Sequence, residues 1–254
     1  IEDRRRVLAA EERQLHSSWN ATLPIHHLPR ELLVDIFATA LRSSWTSLGE
    51  SETETTTAAT GGKRAVLMLV CSAWRELIAS EGTLWSLMYV TPSTPLAILS
   101  LHKLRSAKAA LEVRLDMKPD NSLEAARILA PESERIRSLS IPSARDLPLP
   151  TFHALFCDKS WPLLTHLDIK FSFRSSEQHI TQIDLEPILK LSALRFPNLQ
   201  SLALSSGPIP AIDVQLLRQL KSLKVYSHCP VEWPSFQQFL TDLSQAVQLE
   251  ALTI

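Results

Sequence analysis

Glycine is scarce in this chain, with five in 254 residues. A phosphate-cradling loop together with the turns of a nucleotide-binding fold would need more than that. No GxxxxGK[ST], GxSxG or HExxH stretch occurs either, so the usual hydrolase, P-loop and zinc-protease chemistries have no starting point. Cysteine is scarcer still: Cys71, Cys157 and Cys229 are odd in number, widely spaced and form no CxxC pair. They cannot build a disulfide framework, which fits a reducing intracellular compartment, cytoplasmic or nuclear. Neither sign of charge dominates, and a formal net charge of -1 gives no electrostatic reason to expect nucleic acid or an anionic membrane. Apolar runs stay well short of the roughly 18 residues needed to span a bilayer, and no signal-peptide pattern opens the chain.

What is present suits a packed core: 45% of the residues are hydrophobic and 21% charged. The length fits one large domain or two ordinary ones. The first residue is Ile and the last line reads as an unfinished repeat, so a fragment truncated at its C-terminus is expected. Residues 1 to 24 are rich in Glu, Arg, Leu and Ala, which favour helix. Val7, Leu8, Leu15 and Trp19 suggest one helix face or the end of a coiled coil.

The stretch "IHHLPRELLVDIFATAL", residues 25 to 41, then starts a second helix. Pro29 suits a first helical turn and Glu31 favours the positive end of the helix dipole. Leu32, Leu33, Ile36, Phe37 and Leu41 make an apolar face too wide for so short a helix to bury alone. Residues 42 to 66 are dominated by Ser, Thr, Glu and Gly61-Gly62 and read as a polar insertion with little to place in a core. Beyond it, Leu67, Val70, Cys71, Trp74, Leu77 and Ile78 fall at three- and four-residue steps on one predicted helix, which Gly82 ends. A boundary follows near "TPSTP".

From about residue 96 the pattern changes to short apolar pieces, "LEVRLDM", "RIRSLSI", "LLTHLDI", "NLQSLAL", "QLKSLKV" and "QLEALTI", starting at residues 111, 135, 163, 198, 219 and 248. Starts 21 to 35 residues apart, with segments able to form helices between them, are the self-similarity of a solenoid: one strand and one return per repeat. In "NLQSLAL", Leu202 and Leu204 point to one side of a strand and Leu199 packs at its entry. The positions between the leucines, Gln200, Lys221 and Glu250 among them, are outward and are candidate target-binding residues.

With both halves in view, "LPRELLVDIF" followed by "VCSAWRELIASEGTLW" resembles the F-box, most closely the F-box proteins of mushroom-forming fungi with degenerate leucine-rich repeats behind the box. The matching residues are Leu28, Pro29, Glu31, Leu32, Ile36, Phe37, Val70, Cys71, Trp74, Arg75, Leu84 and Trp85. The long insertion at 42 to 66 departs from that pattern, since the family joins these helices by a short loop. The resemblance implies an α/β chain overall: an N-terminal helix (1–24), an all-helical F-box module (25–95), and an irregular leucine-rich-repeat-like solenoid (96–254). It implies a substrate-recognition subunit of an SCF-type ubiquitin ligase acting in protein degradation. Leu28, Pro29, Leu32, Ile36, Phe37, Val70, Trp74, Leu84 and Trp85 would meet a Skp-type adaptor, which links to a cullin scaffold, while the repeats hold an unknown target protein. The alternative is an interaction scaffold with no ligase role.

Other clusters read as structural. His26-His27 lacks a third ligand at suitable spacing and fits a solvated turn before the helix. Cys71 reads as a small buried hydrophobe, and His166 with Asp168 as repeat surface lacking a nucleophile. No metal, no cofactor and no catalytic activity are expected of the chain itself.

Overall fold

The computed structural model describes residues 1–46, 59–116, 119–142, 147–170, 189–205, 212–226 and 241–253. The protein is mixed α/β, with a helical N-terminal part followed by a parallel sheet. It divides into two compact units, residues 1–87 with 105–107, and residues 88–104 with 108–254.

The first unit is helical. Helix α1 spans Glu2–Ala21, a 3-10 turn covers Pro24–His27, and α2 runs over Arg30–Thr46. The Pro29 carbonyl accepts the first helical hydrogen bond of α2, from the Leu33 amide at 3.2 Å, so Pro29 sits just ahead of the helix where its missing N–H costs nothing. Helices α3 (Ala59–Val70) and α4 (Ser72–Ser80) follow, then a 3-10 turn over Gly82–Trp85. Leu33, Phe37 and Leu41, one turn apart on α2, enter a core completed by Leu77, Ile78, Leu84, Trp85 and Leu87.

Three expectations change here. The single apolar helix over Leu67 to Ile78 is two helices, because Cys71 takes an extended conformation between them (φ -158°, ψ 170°). Its Sγ accepts from the Trp74 amide at 3.5 Å, so Cys71 is an N-cap and not a helix-face hydrophobe. The polar insertion is narrower than 42 to 66: α2 continues to Thr46 and α3 begins at Ala59, while residues 47–58 lie outside the described residues. Gly82 does not end α4 by adopting left-handed backbone; the helix already stops at Ser80. A Cβ at Gly82 would come within 2.9 Å of the Ser106 carbonyl oxygen, so close backbone approach is what requires glycine.

The second unit is built on the sheet. Strands β1 (Leu87–Val90), β2 (Leu111–Leu115), β3 (Ile136–Ile141), β4 (His166–Lys170), β5 (Ser201–Ser205), β6 (Ser222–Tyr226) and β7 (Ala251–Thr253) lie side by side in chain order. From β2 to β7 every neighbouring pair is parallel. Return segments include α5 (Leu96–Arg105), α6 (Pro119–Leu129), α7 (Leu149–Phe156) and α8 (Val214–Gln219). The first and the last of these are helices the sequence reading did not mark. Six expected apolar pieces coincide with β2 to β7.

Period-two alternation decides the faces. Val113, Leu139, Leu167, Leu202 and Leu223 are register partners in sequence across the sheet, and all are buried. Leu164, Leu199 and Leu220, three residues earlier, are buried at the strand entries. On the return side, Phe152, Phe156, Trp161 and Phe196 thicken this core, with the Phe156 and Trp161 rings 5.4 Å apart. Side chains tie successive returns together: Gln219 Nε2 donates to the Phe196 carbonyl at 2.6 Å, Arg195 Nε to Lys159 at 2.8 Å, and Arg135 Nη1 to Ala109 at 2.9 Å. These bonds place side-chain donors on carbonyls of the irregular returns; the Phe196 carbonyl also accepts from the Leu199 amide at 3.3 Å. No described helix is long and apolar enough to cross a membrane.

Candidate protein-interaction surfaces

Of the residues expected to meet an adaptor, the first unit divides them by burial. Pro29, Leu32, Ile36 and Val70 are exposed. Leu28 and Trp74 are half-buried against the core. Phe37, Leu84 and Trp85 are 2%, 0% and 6% exposed and belong to that core, so they present almost no surface for the direct contact expected of them. For Phe37 the sequence signal is divided, because an aromatic one turn from Leu33 packs inward as readily as outward. The Phe37 and Trp74 rings pack at 4.7 Å, and the Trp85 indole N–H donates to the Ile78 carbonyl at 2.6 Å.

On α2, Leu32 and Ile36 are one turn apart, about 50% and 46% exposed, on the side away from Leu33 and Phe37. On α3, Val66, Leu69 and Val70 share an outward face with exposures of 61%, 74% and 51%. Helices α2 and α3 pack against each other. Five large apolar side chains standing out from two adjoining short helices are more than scattered surface hydrophobes, and such surfaces mark binding sites. Sequence reasoning missed Val66 and Leu69. Val66 closes the stretch read as insertion, and Leu69 falls off the steps through Leu67, Val70 and Cys71, while Val70 itself is among the residues expected to meet an adaptor. The extended Cys71 resets the helical phase between the two segments.

The inward face of α3 carries an unexpected group. Arg64, assigned by sequence to solvated insertion, is 3% exposed. Its Nε donates to the Leu84 carbonyl at 3.0 Å and Nη2 to the Leu87 carbonyl at 3.4 Å, with the guanidinium 4.8 Å from the Trp85 ring centroid. Burial lowers its pKa to about 10, so it stays charged at neutral pH. Trp74 also borders an open groove of about 770 Å³ lined by His26, Leu28, Arg30, Leu33 and Leu77 among others. His26 is half-buried there, its Nε2 3.8 Å from Cys71 Sγ, which corrects the solvated turn expected of it. Along α1, Val7, Leu8, Leu15 and Trp19 are all exposed, as one face of a helix would be.

In the second unit the three candidate target-binding residues form a row. The Gln200 carbonyl accepts from the Lys221 amide at 2.8 Å, and the Lys221 carbonyl accepts from the Glu250 amide at 2.8 Å. All three are exposed at the entry of their strands. Beside them the open face of the sheet carries Arg114, Ser140, Asp168, Ala203 and Lys224 as direct register partners. His166 and Asp168 are both on this face, and Asp168 accepts from Ser140 Oγ at 3.2 Å, not from the histidine.

Comparison with known proteins places the first unit in a class. Residues 25–91 match the F-box-like family, so an F-box-like domain occupies the turn before α2, helices α2 to α4 and the exit into β1. Such a domain points to protein–protein interaction, typically in SCF complexes through a Skp-type adaptor. No curated protein and no solved structure matches the chain.

Proposed function

We propose that this protein is a substrate-recognition subunit of an SCF-type ubiquitin ligase. The observation that carries the reading is the exposed apolar surface of Leu32 and Ile36 on α2 with Val66, Leu69 and Val70 on α3, within the F-box-like match. Docking of that surface on a Skp-type adaptor would bury it and link the chain to a cullin scaffold, with Leu28 and Pro29 at the rim and Trp74 behind. Central apolar anchors of this kind dominate the energy of stable interfaces. Residues 96–254 are read as irregular leucine-rich repeats of the fungal type, stacked as a solenoid, which present a target protein. The chain supplies no chemistry of its own. It raises the local concentration of target lysines near a conjugating enzyme in the cytoplasm or nucleus.

The test is a pull-down with a purified Skp-type adaptor, comparing the wild type with the double variant Pro29→Ala, Leu32→Asp. Both side chains are exposed, so the helical circular dichroism should not change, while a carboxylate in a docked apolar surface should abolish capture. Wild type that fails to bind, or a variant that binds as well, sinks the reading. Capture without adaptor-dependent turnover of any bound protein would leave the scaffold role.

A further inference from the structure

The open face of the sheet carries a charge pattern set by strand register. Arg114 on β2 pairs with Ser140, Ser140 with Asp168 on β4, Asp168 with Ala203, and Ala203 with Lys224 on β6. One straight row therefore reads cation, small, anion, small, cation. The intervening Ser140 and Ala203 keep the floor low between the charges. Among the described residues none of the three charges is in an ion pair. Arg114 lies 5.6 Å from the Tyr89 ring, and its Nε is buried without an acceptor. Among the described residues Lys170, two residues along β4 on the same face, makes no ion pair with Asp168, whose carboxylate accepts from Ser140 Oγ. In the adjoining row, Ser138, Ser201, Ser222 and Ala251 are small, the exposed His166 stands between Ser138 and Ser201 as a larger polar group, and Glu112 at its end has a partner of its own.

Spacing narrows what could cover this row. Neighbouring strands are about 4.8 Å apart, so charges two strands apart stand roughly 10 Å from one another. A polyproline II segment rises about 3.1 Å per residue with three residues per turn, presenting one face roughly every 9 Å. A β-extended segment returns to one face roughly every 7 Å and drifts out of phase. We infer that this face seats an extended, polyproline-like segment of the target protein, crossing the strands with acid, base and acid at every third residue against Arg114, Asp168 and Lys224. The inference rests on the reading of the second unit as the target-binding part. A segment already in polyproline form loses little entropy on binding.

Fluorescence anisotropy on the full chain tests this, using a labelled peptide with the core Glu-Pro-Pro-Lys-Pro-Pro-Glu and its charge-inverted partner Lys-Pro-Pro-Glu-Pro-Pro-Lys. The first should bind, in a salt-sensitive way, and the inverted peptide should bind at least about fivefold more weakly. Lys224→Glu should weaken the first peptide by about fivefold, and a peptide ending in Lys in place of the last Glu should regain that loss. Equal binding of both peptides, no binding of either, or loss in Lys224→Glu without rescue would overturn the inference. Repeating the assay on the Leu32→Asp variant separates the two proposals, because adaptor capture then fails while peptide binding persists.

Discussion

Arg64 provides the sharpest test of how the first unit is held together. Removing its guanidinium takes the donor from the Leu84 and Leu87 carbonyls, which lie among buried residues. Hydrogen bonds to a charged donor are worth about 1.5–3 kcal/mol each, and stacking on Trp85 adds about 1 kcal/mol. Against these stands the desolvation of the charge, several kcal/mol, which any substitution relieves. The balance predicts about 1–2 kcal/mol of destabilisation for Arg64→Met, which keeps most of the volume. Arg64→Ala also opens a cavity beside Trp85 and should cost about 2–4 kcal/mol. Hydrogen exchange followed by mass spectrometry is the suitable assay, since the two units have separate cores and one melting curve would mix them. Amides of α4 and of the Gly82–Trp85 turn should exchange roughly tenfold or more faster in Arg64→Ala, with β3 and β4 unchanged. If Arg64→Met proves neutral or stabilising, the guanidinium is a tolerated burden and the account of this core is wrong.

Two further outcomes follow from single contacts. Gly82→Ala would push a Cβ against the backbone at Ser106 and Arg105, which cannot yield as a side chain can, and should cost about 1–3 kcal/mol; unchanged amide exchange across α4 and the Gly82–Trp85 turn would refute the close-approach reading. In the second unit, burial alone would raise the Glu132 pKa, but hydrogen bonds and charge from Arg135 and Lys103 outweigh it and hold the carboxyl below the ordinary range. The unfolded chain therefore binds the proton more tightly, so this contribution is present above the ordinary glutamate value near 4.3 and is lost as pH falls through the lower folded value. Glu132→Gln should flatten urea-measured stability of the sheet unit between about pH 5 and the acid limit, and an unaltered pH slope would count against it.

The second unit was legible because repetition exposes it. Each strand repeats the same apolar offsets, so Leu199, Leu202 and Leu204 inform the reading of Leu220, Leu223 and Val225. Legibility failed where one residue type serves two purposes. The α3 segment looked like linker because its start is rich in Thr and Gly, and the arginine that closes the core looked like a solvated charge. Position decides that case: carbonyls at Leu84 and Leu87 come from residues 20 and 23 further on, a separation no local periodicity reports. The sheet's charged row was invisible for the same reason. Arg114, Asp168 and Lys224 are separated by more than fifty residues at each step, and only strand register aligns them.

The two cores answer differently to perturbation because they close differently. Leucines of the sheet unit have buried register neighbours on adjoining strands, so loss of one methylene is shared with them, and damage should scale with volume removed. The helical unit has no such redundancy. Its floor includes the Arg64 guanidinium, the Leu84 and Leu87 carbonyls and the Trp85 indole, which the Arg105 guanidinium also approaches at 5.8 Å, while five of its larger apolar side chains are about half exposed or more. A domain arranged in this way gains from whatever covers that outer face, by an amount that grows with the partner's concentration relative to its dissociation constant. The same residues that limit the isolated unit are thus those through which a bound adaptor would stabilise it.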